Sequence, residues 1–132
     1  MEAMDARNRP FNILIVDDSA MMRAMIKRAV KLSGVAVETI YEAANGQEAL
    51  DVLERHNDVA ALFTDINMPV MTGTELLRQM ATRGWPHIVR VIVSTDGSSA
   101  RREEVRDLDV RMYVEKPFAP EAIRDVLAEV CH

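Results

Sequence analysis

The length, composition and charge of this chain limit the kinds of protein that it can be. It has 132 residues, of which 48% are hydrophobic and 28% charged, and its formal net charge is −5. These values are typical of one soluble globular domain. The acidic balance argues against binding to nucleic acid, whose phosphates are held mainly by clustered Lys and Arg. No segment approaches the roughly 20 apolar residues of a membrane span. The one cysteine, Cys131, excludes an internal disulfide and fits a reducing cytoplasm.

The beginning of the chain differs from the remainder. Residues 1–10 are polar and charged and contain no apolar run, so we expect them to form an N-terminal tail. From residue 11 onward, apolar segments recur at short intervals, without an internal repeat or a low-complexity stretch. This pattern predicts a single domain over residues 11–132.

Short apolar runs that predict β-strands recur along the chain. The first of them, Ile13 to Val16, is wholly apolar and stops at Asp17. Such a run is expected of a strand that is covered on both faces, as in parallel sheets. The runs that predict strands are 13–16, 37–41, 59–63, 89–93 and 112–114.

Segments in which apolar residues have helical spacing lie between these runs. The first helix is expected over 20–33, with Met22 and Met25 among the residues that face the core and Gly34 as the stop. The later helices are marked by Leu50 and Leu53 after Asn45-Gly46, by Leu76 to Met80 between Thr72 and Gly84, by the charged segment 99–107, and by Pro120 at the first position of a last helix.

The alternation of strands and helices predicts the fold class. Strand–helix units repeated in this way form a parallel sheet with helices on both faces. The alternatives are an open, doubly wound sheet and a fragment of an eight-fold barrel. A barrel needs about 250 residues, so we expect the open α/β sheet.

Polar side chains stand where four of the predicted strands end. In an open parallel sheet, ligands bind at the carboxyl ends of the strands, beside the point where the strand order reverses. Residues from separate strands can therefore converge on one place. These strand-end residues are Asp17, Asp18, Asp65, Ser94, Thr95, Glu115 and Lys116.

The charges of this set indicate a metal site. Three carboxylates repel one another unless a cation lies among them, and a set of hard oxygen ligands favours Mg²⁺. The three aspartates, one divalent ion and Lys116 together sum to zero charge, so an anionic phosphoryl donor could approach. Phosphoryl transfer depends mostly on positioning and on neutralising oxygen charge. Asp65 is the natural acceptor, because it stands alone after the central apolar run.

Each of these residues has a simpler explanation when it is taken alone. Asp17-Asp18 or Asp65 could cap a helix, Lys116 could be a solvated loop lysine, and the hydroxyl residues could merely end a strand. Their joint occurrence at strand ends favours a functional site.

Four segments of the sequence together are similar to the receiver domain of bacterial two-component response regulators, in the layout of single-domain, chemotaxis-type receivers. The similarity covers about residues 11–130, and it implies the flavodoxin-like strand order 2-1-3-4-5. The segments are Val16-Asp17-Asp18, Asp65-Ile66-Asn67-Met68-Pro69-Val70-Met71-Thr72-Gly73, Val93-Ser94-Thr95 and Tyr113-Val114-Glu115-Lys116-Pro117-Phe118.

The resemblance implies a role for each residue of the predicted pocket. Asp65 would accept the phosphoryl group. Asp18 would bind Mg²⁺ directly, Asp17 would bind it through water or at the rim, and Asn67 would contribute its backbone carbonyl. Lys116 would pair with the carboxylate and then with the phosphoryl oxygens.

The resemblance also implies a switch that follows phosphorylation. Two positions could supply the switch hydroxyl. Matching Gly97 to the glycine of the S-A-x-G pattern of receivers gives Ser94, which we favour, whereas counting from Asp65 without gaps gives Thr95. Tyr113 would be the aromatic side chain that turns inward, although it could equally be an ordinary half-buried strand residue. The peptide bond between Lys116 and Pro117 is a candidate for the cis form.

The resemblance further implies partners. A sensor histidine kinase would supply the phosphoryl group, and an unidentified target protein would bind the face formed by the fourth helix, fifth strand and fifth helix. The protein would be a cytoplasmic monomer that acts only on its own phosphoryl group, without being an enzyme for other substrates. A flagellar switch, a phosphorelay intermediate and an adaptor remain open as pathways.

The same sheet can carry other functions, and the residues of this chain disfavour them. An Asp-nucleophile phosphohydrolase usually needs a second Asp two residues after the nucleophile, where this chain has Asn67. A phosphorylation-independent interaction module would not need the acid–hydroxyl–lysine set, and a flavin carrier would be disfavoured by phosphate repulsion from Asp17-Asp18.

Leu108-Asp109-Val110 replaces the A-G-A of many receivers, so we expect a local change near the fourth helix. Thr72 is expected to cap the third helix.

Overall fold

The computed structural model of the protein describes residues 10–130. Most of the predicted tail, residues 1–9, and the last two residues, Cys131 and His132, lie outside the described part. Within residues 10–130, no helix combines the length and the apolar character that crossing a membrane would require.

Strands and helices alternate strictly along the described chain. The five strands are β1 (Phe11–Val16), β2 (Val37–Ala43), β3 (Val59–Thr64), β4 (Val89–Ser94) and β5 (Val110–Glu115). The five helices are α1 (Ala20–Leu32), α2 (Gly46–Arg55), α3 (Gly73–Arg83), α4 (Ser99–Glu104) and α5 (Pro120–Val130).

The strands form one parallel sheet in the order β2-β1-β3-β4-β5. The order confirms the flavodoxin-like, doubly wound fold that the sequence predicts. Because β1 lies between β2 and β3, the direction of winding reverses at the β1–β3 pair, and the carboxyl ends of these two strands border the crevice in which such folds bind ligands.

Two hydrophobic clusters cover the two faces of the sheet. Alternate residues of each buried strand point to opposite faces, so that Leu14 joins one cluster and Ile15 joins the other. The first cluster packs against α2 and α3, and the second packs against α1 and α5. Coverage of both faces explains why the central strands are apolar without alternation.

Local signals fix several helix ends as expected. The Thr72 hydroxyl accepts a hydrogen bond from the Glu75 amide at 3.2 Å, which is the capping contact that orients α3. Gly84 ends α3 with a left-handed φ of 71°, a conformation that glycine adopts without steric cost. Pro120 is the first residue of α5.

Two expectations from the sequence are wrong. The charged segment predicted as a helix over 99–107 ends at Glu104, and the chain continues in turns to a left-handed Asp109 with φ 58°. The buried Arg90 side chain donates to Asp109 at 3.1 Å and to the Trp85 carbonyl at 2.9 Å, which ties these turns to β4. Met25, expected in the core, is 50% exposed because the inner face of α1 is already filled by residues such as Ile26 and Val30.

Val70 has an unfavourable backbone conformation. It lies at φ 68° and is 80% exposed, although the left-handed region costs an L-residue about 1–2 kcal/mol and is least tolerable for β-branched side chains.

We therefore expect Val70→Asn to raise the free energy of unfolding by about 0.5–1 kcal/mol, because Asn tolerates this region better. Urea denaturation would measure the change. Met21→Gln is the control: Met21 is 75% exposed in a regular helix, so the change there should stay within about 0.5 kcal/mol. A Val70→Asn variant that is no more stable than wild type would contradict the inference that the backbone at Val70 is strained.

Candidate functional site

Backbone hydrogen bonds bring the ends of the strands together. The Asp17 amide donates to the Ala43 carbonyl at 3.1 Å, and the Asp65 amide donates to the Val16 carbonyl at 3.0 Å. These bonds continue the parallel pairing of β1 with its neighbours by one residue. The first residue after β1 and the first residue after β3 are therefore held side by side.

Three carboxylates converge at this edge of the sheet. Asp17, Asp18 and Asp65 each offer an oxygen, and these oxygens lie within 4.8 Å of one another. Asp17 is buried, Asp65 is half-buried and Asp18 is exposed. The cluster therefore has a buried floor and one side that is open to solvent.

Lys116 neutralises part of this charge. Its ammonium lies 2.8 Å from Asp17 Oδ2 and 3.1 Å from Asp65 Oδ2, and its side chain is nearly buried. Burial by itself lowers the pKa of Lys116. The hydrogen bond to Asp17 and the charge of Asp65 outweigh burial, and together they raise the pKa above its ordinary value of 10.5.

The turn that carries Asp17 is held on both sides. Asp17 Oδ1 accepts from the Ser19 amide at 2.9 Å, and Ser19 in turn caps α1. Arg23 donates to the Asp17 backbone carbonyl and forms an ion pair with Glu42 at 3.0 Å. The carboxylate is therefore fixed by α1 and β2 as well as by its own strand.

The loop after Asp65 is packed closely against it. Asp65 Oδ1 accepts from the Ile66 amide at 2.7 Å, and the Gly73 amide donates to the Ile66 carbonyl at 2.8 Å. A Cβ on Gly73 would lie 2.0 Å from the Asp65 carbonyl oxygen, which is far inside contact distance. Glycine is therefore required at the start of α3, and the hydrogen bond from the Ile66 amide to Oδ1 holds the Asp65 side chain.

The donor set of the pocket suits a hard cation. All of the clustered ligands are carboxylate oxygens, and Asn67, two residues after Asp65, lies exposed on the same loop. Mg²⁺ takes one or two carboxylates and keeps several waters, which requires an open side such as the one at Asp18. The residues present therefore fit Mg²⁺, which would neutralise oxygen charge there.

Ser94 and Thr95 have different environments. Ser94 is fully buried at the end of β4, and its hydroxyl accepts from the Asp96 amide at 3.2 Å. Its carbonyl accepts from the Lys116 amide at 2.9 Å. Thr95 is exposed. Ser94 is thus the hydroxyl residue that is integrated with the Lys116 end of the sheet.

Tyr113 is half-buried on β5 beside the β4–α4 loop. Its hydroxyl donates to the Asp96 backbone carbonyl, and Arg102 lies over its ring. Burial raises the pKa of Tyr113, an effect that the Ser94 hydroxyl and the Arg102 charge partly offset.

The peptide bond between Lys116 and Pro117 is cis, in agreement with the expectation.

Some residues around the site were missed by sequence reasoning. Arg23 and Glu42 lie 19 positions apart, and Arg102 meets Glu115 across 13 positions. No local motif relates such pairs. The sequence signal for Arg102 is the Arg101-Arg102 pair, and the charge of this pair is balanced by Glu103-Glu104 directly after it.

The fold and this pocket agree with the comparison to known families. The sequence profile of the response regulator receiver domain matches residues 13–128. The chain therefore belongs to the response regulator receiver domain family, whose members act in phosphorelay signalling with histidine kinases and downstream targets.

Individual relatives support the same assignment. The chain is 35% identical to a chemotaxis protein CheY homolog of Campylobacter jejuni (strain 81-176), covering 89% of this chain and 90% of that protein. It is 34% identical to chemotaxis protein CheY1 of Helicobacter pylori (strain J99), covering 89% and 94% respectively. The solved structure of chemotaxis response regulator CheY4 of Vibrio cholerae matches with a TM-score of 0.78 at 29% identity, covering 92% of this chain and 99% of that one.

The raised pKa of Lys116 predicts how stability depends on pH in metal-free protein. The ion pair contributes its full stabilisation of the folded state at pH values below the unfolded-state pKa of Lys116, near 10.5. This stabilisation is lost as the pH rises through the higher folded-state pKa. Lys116→Met should cost roughly 3 kcal/mol at about pH 9, because it leaves the buried Asp17 charge unpaired, and it should cost less at about pH 11.

Urea denaturation with a chelator present would measure both values. Lys27→Met is the matched control, since Lys27 forms an ion pair with Glu42 at the surface and should contribute less than about 1 kcal/mol. An equal cost of Lys116→Met at both pH values would contradict this account.

Proposed function

We propose that this protein is a response regulator that accepts a phosphoryl group on Asp65 in a Mg²⁺-dependent step and thereby switches a protein-binding surface. The observation that carries the proposal is the placement of the Lys116 ammonium between Asp17 and Asp65, beside three converging carboxylates. In the receiver family this arrangement is the one expected of a phosphoacceptor.

Each residue has a distinct task in the proposed step. Asp65 Oδ supplies the attacking oxygen, and the new bond joins it to phosphorus as the donor's leaving group departs. Asp17, Asp18 and the Asn67 carbonyl would hold Mg²⁺, which supplies charge neutralisation for the phosphoryl oxygens. Lys116 already contacts Asp65 and would pair with the incoming oxygens as a point charge.

We further propose that turnover of other phosphate esters is not part of the function. Hydrolysis of that kind needs a general acid for the leaving group close to the nucleophile. The residue two positions after Asp65 is Asn67, whose amide cannot donate a proton in this way. Lys116 is held by two carboxylates and keeps its proton at neutral pH, since its pKa is raised.

We assign the readout to the surface formed by α4, β5 and α5. A groove of about 230 Å³ between α4 and β5 is lined by Arg102, Arg106, Arg111, Met112 and other residues. β5 is an edge strand of the sheet, so within residues 10–130 no further strand lies beside it on the side away from β4. Given the chemotaxis proteins among its relatives, we propose a monomeric cytoplasmic regulator with a histidine kinase as donor and a chemotaxis-type target.

Phosphorylation of the purified protein tests the main proposal. With acetyl phosphate and Mg²⁺, intact mass spectrometry should show the addition of one phosphoryl group. Asp65→Asn should abolish the adduct, and Asp18→Asn should lower the yield of the adduct at the same Mg²⁺ concentration. The control is Asp125→Asn, which changes an exposed carboxylate on α5 and should leave labelling unchanged.

The result that would sink the proposal is labelling that persists in Asp65→Asn or that does not need a divalent ion. Release of inorganic phosphate from several phosphate esters over many turnovers would instead indicate a phosphohydrolase.

Ser94 is expected to be the switch hydroxyl, because it is buried and joined to the Lys116 end of the sheet. Ser94→Ala should still be phosphorylated but should lose the chemical-shift changes that phosphorylation causes in α4 and β5. Thr95→Ala, next to it but exposed, should keep them. NMR spectra of the amides with and without acetyl phosphate would decide, and the reverse pattern would assign the role to Thr95.

A further inference from the structure

Arg102 on α4 contacts three different groups through one guanidinium. Its Cζ lies 4.4 Å from the centroid of the Tyr113 ring. Nη2 forms an ion pair with Glu115 at 3.0 Å, and Nε donates to the Gly97 carbonyl at 3.1 Å. The side chain therefore connects α4 to β5 and to the β4–α4 loop at once.

The groups that Arg102 contacts are themselves packed together. The Tyr113 hydroxyl donates to the Asp96 carbonyl, one residue before Gly97. A Cβ on Gly97 would lie 2.0 Å from Glu115 Oε1, so a larger residue at position 97 would displace the Glu115 side chain from this position. The loop, the tyrosine and the glutamate form one contact cluster, with Arg102 as the member from α4.

The contacts of Arg102 differ from those of the neighbouring arginines. Arg101 binds the Asp96 and Glu104 carboxylates, whereas Arg102 lies over the Tyr113 ring. Arg106 forms an ion pair with Glu103, three residues before it, and both side chains are more than 60% exposed. An exposed pair of this kind contributes little and is easily broken. The Arg102–Glu115 pair is also exposed, at 44% and 57%. What distinguishes Arg102 is that its planar guanidinium stacks on the Tyr113 ring while Nε donates to the Gly97 backbone carbonyl.

We propose that Arg102 is a positioning residue for Tyr113, holding the ring against the β4–α4 loop before any phosphorylation occurs. The short α4 and the tyrosine then move as one unit. The observed position of the Tyr113 ring, with its hydroxyl on the Asp96 carbonyl, is the inward position. It is already populated in the unphosphorylated protein, and the strength of the Arg102 contacts sets that population.

The consequence for signalling rests on the proposed function. Phosphorylation of Asp65 would shift an equilibrium that Arg102 already biases, so Arg102 would set the basal level of the output surface. A partner that carries a carboxylate could compete for Arg102 and release the tyrosine. The positioning role itself requires neither Mg²⁺ nor a phosphoryl group.

Fluorine NMR of the unphosphorylated protein tests this role directly. The chain has two tyrosines, so Tyr41→Phe leaves Tyr113 as the single site for 3-fluorotyrosine. Arg102→Ala should shift the resonance toward that of a solvated tyrosine, and the ratio of inward to outward ring should fall about fivefold. Arg106→Ala is the matched control, on the same segment and of the same type, and should leave the resonance unchanged.

A titration of the Tyr113 hydroxyl separates release of the ring from simple loss of charge. Burial raises the pKa of Tyr113, and the Arg102 charge opposes that rise. If Arg102→Ala frees the ring into water, the pKa falls toward its ordinary value of 10.0. If the ring stays in place, the pKa rises further. Arg102→Lys, which keeps the charge without the planar fork, should restore the inward ring only in part.

Identical fluorine spectra for Arg102→Ala and Arg106→Ala, or a pKa of Tyr113 that rises in Arg102→Ala, would overturn the inference. Arg102 is partly exposed, and Arg102→Gln, which keeps the aliphatic stem, provides a second variant with the same expected loss. Because these measurements use unphosphorylated protein, they succeed or fail independently of labelling at Asp65.

Discussion

The contact of one ammonium with two carboxylates, Lys116 with Asp17 and Asp65, is the interaction on which the remainder of this structure depends. Three aspartates at one sheet edge would repel one another without a cation. Lys116 compensates part of that charge from inside the protein, while the open side at Asp18 leaves room for a metal ion. Removing either the lysine or the strand pairing that places it would leave a buried charge without a partner.

The sheet makes this contact possible by continuing its hydrogen bonds beyond the strands. Asp17, Asp65 and Lys116 each donate a backbone amide to a neighbouring chain segment, so their positions follow from the strand order. The same continuation connects Lys116 to Ser94, and through the β4–α4 loop to Tyr113. The proposed acceptor and the proposed readout surface are therefore joined by a short path of backbone and packed side chains.

The sequence is sufficient to predict those features of the fold and of the site that depend on local patterns. Apolar runs ending in polar residues predicted the strands, and the rule that ligands bind at strand ends predicted that Asp17, Asp18 and Asp65 would meet. The C-terminal end of α4 was not predictable, because the Arg90–Asp109 ion pair that accompanies the turns after it joins residues 19 positions apart. Arg23 and Arg102 were missed for the same reason. Exposure of Met25 depends on how α1 is rotated against the sheet, which helical spacing alone does not determine.

The central claim is that Asp65 carries the phosphoryl group and that the pocket around it needs a divalent ion. Treating acetyl phosphate-labelled protein with borohydride, which reduces an aspartyl phosphate to homoserine, and then sequencing its peptides by mass spectrometry tests this most directly. The account predicts homoserine at position 65, at no other carboxylate, and only when Mg²⁺ is present. Homoserine at another aspartate, or at position 65 without a divalent ion, would contradict it.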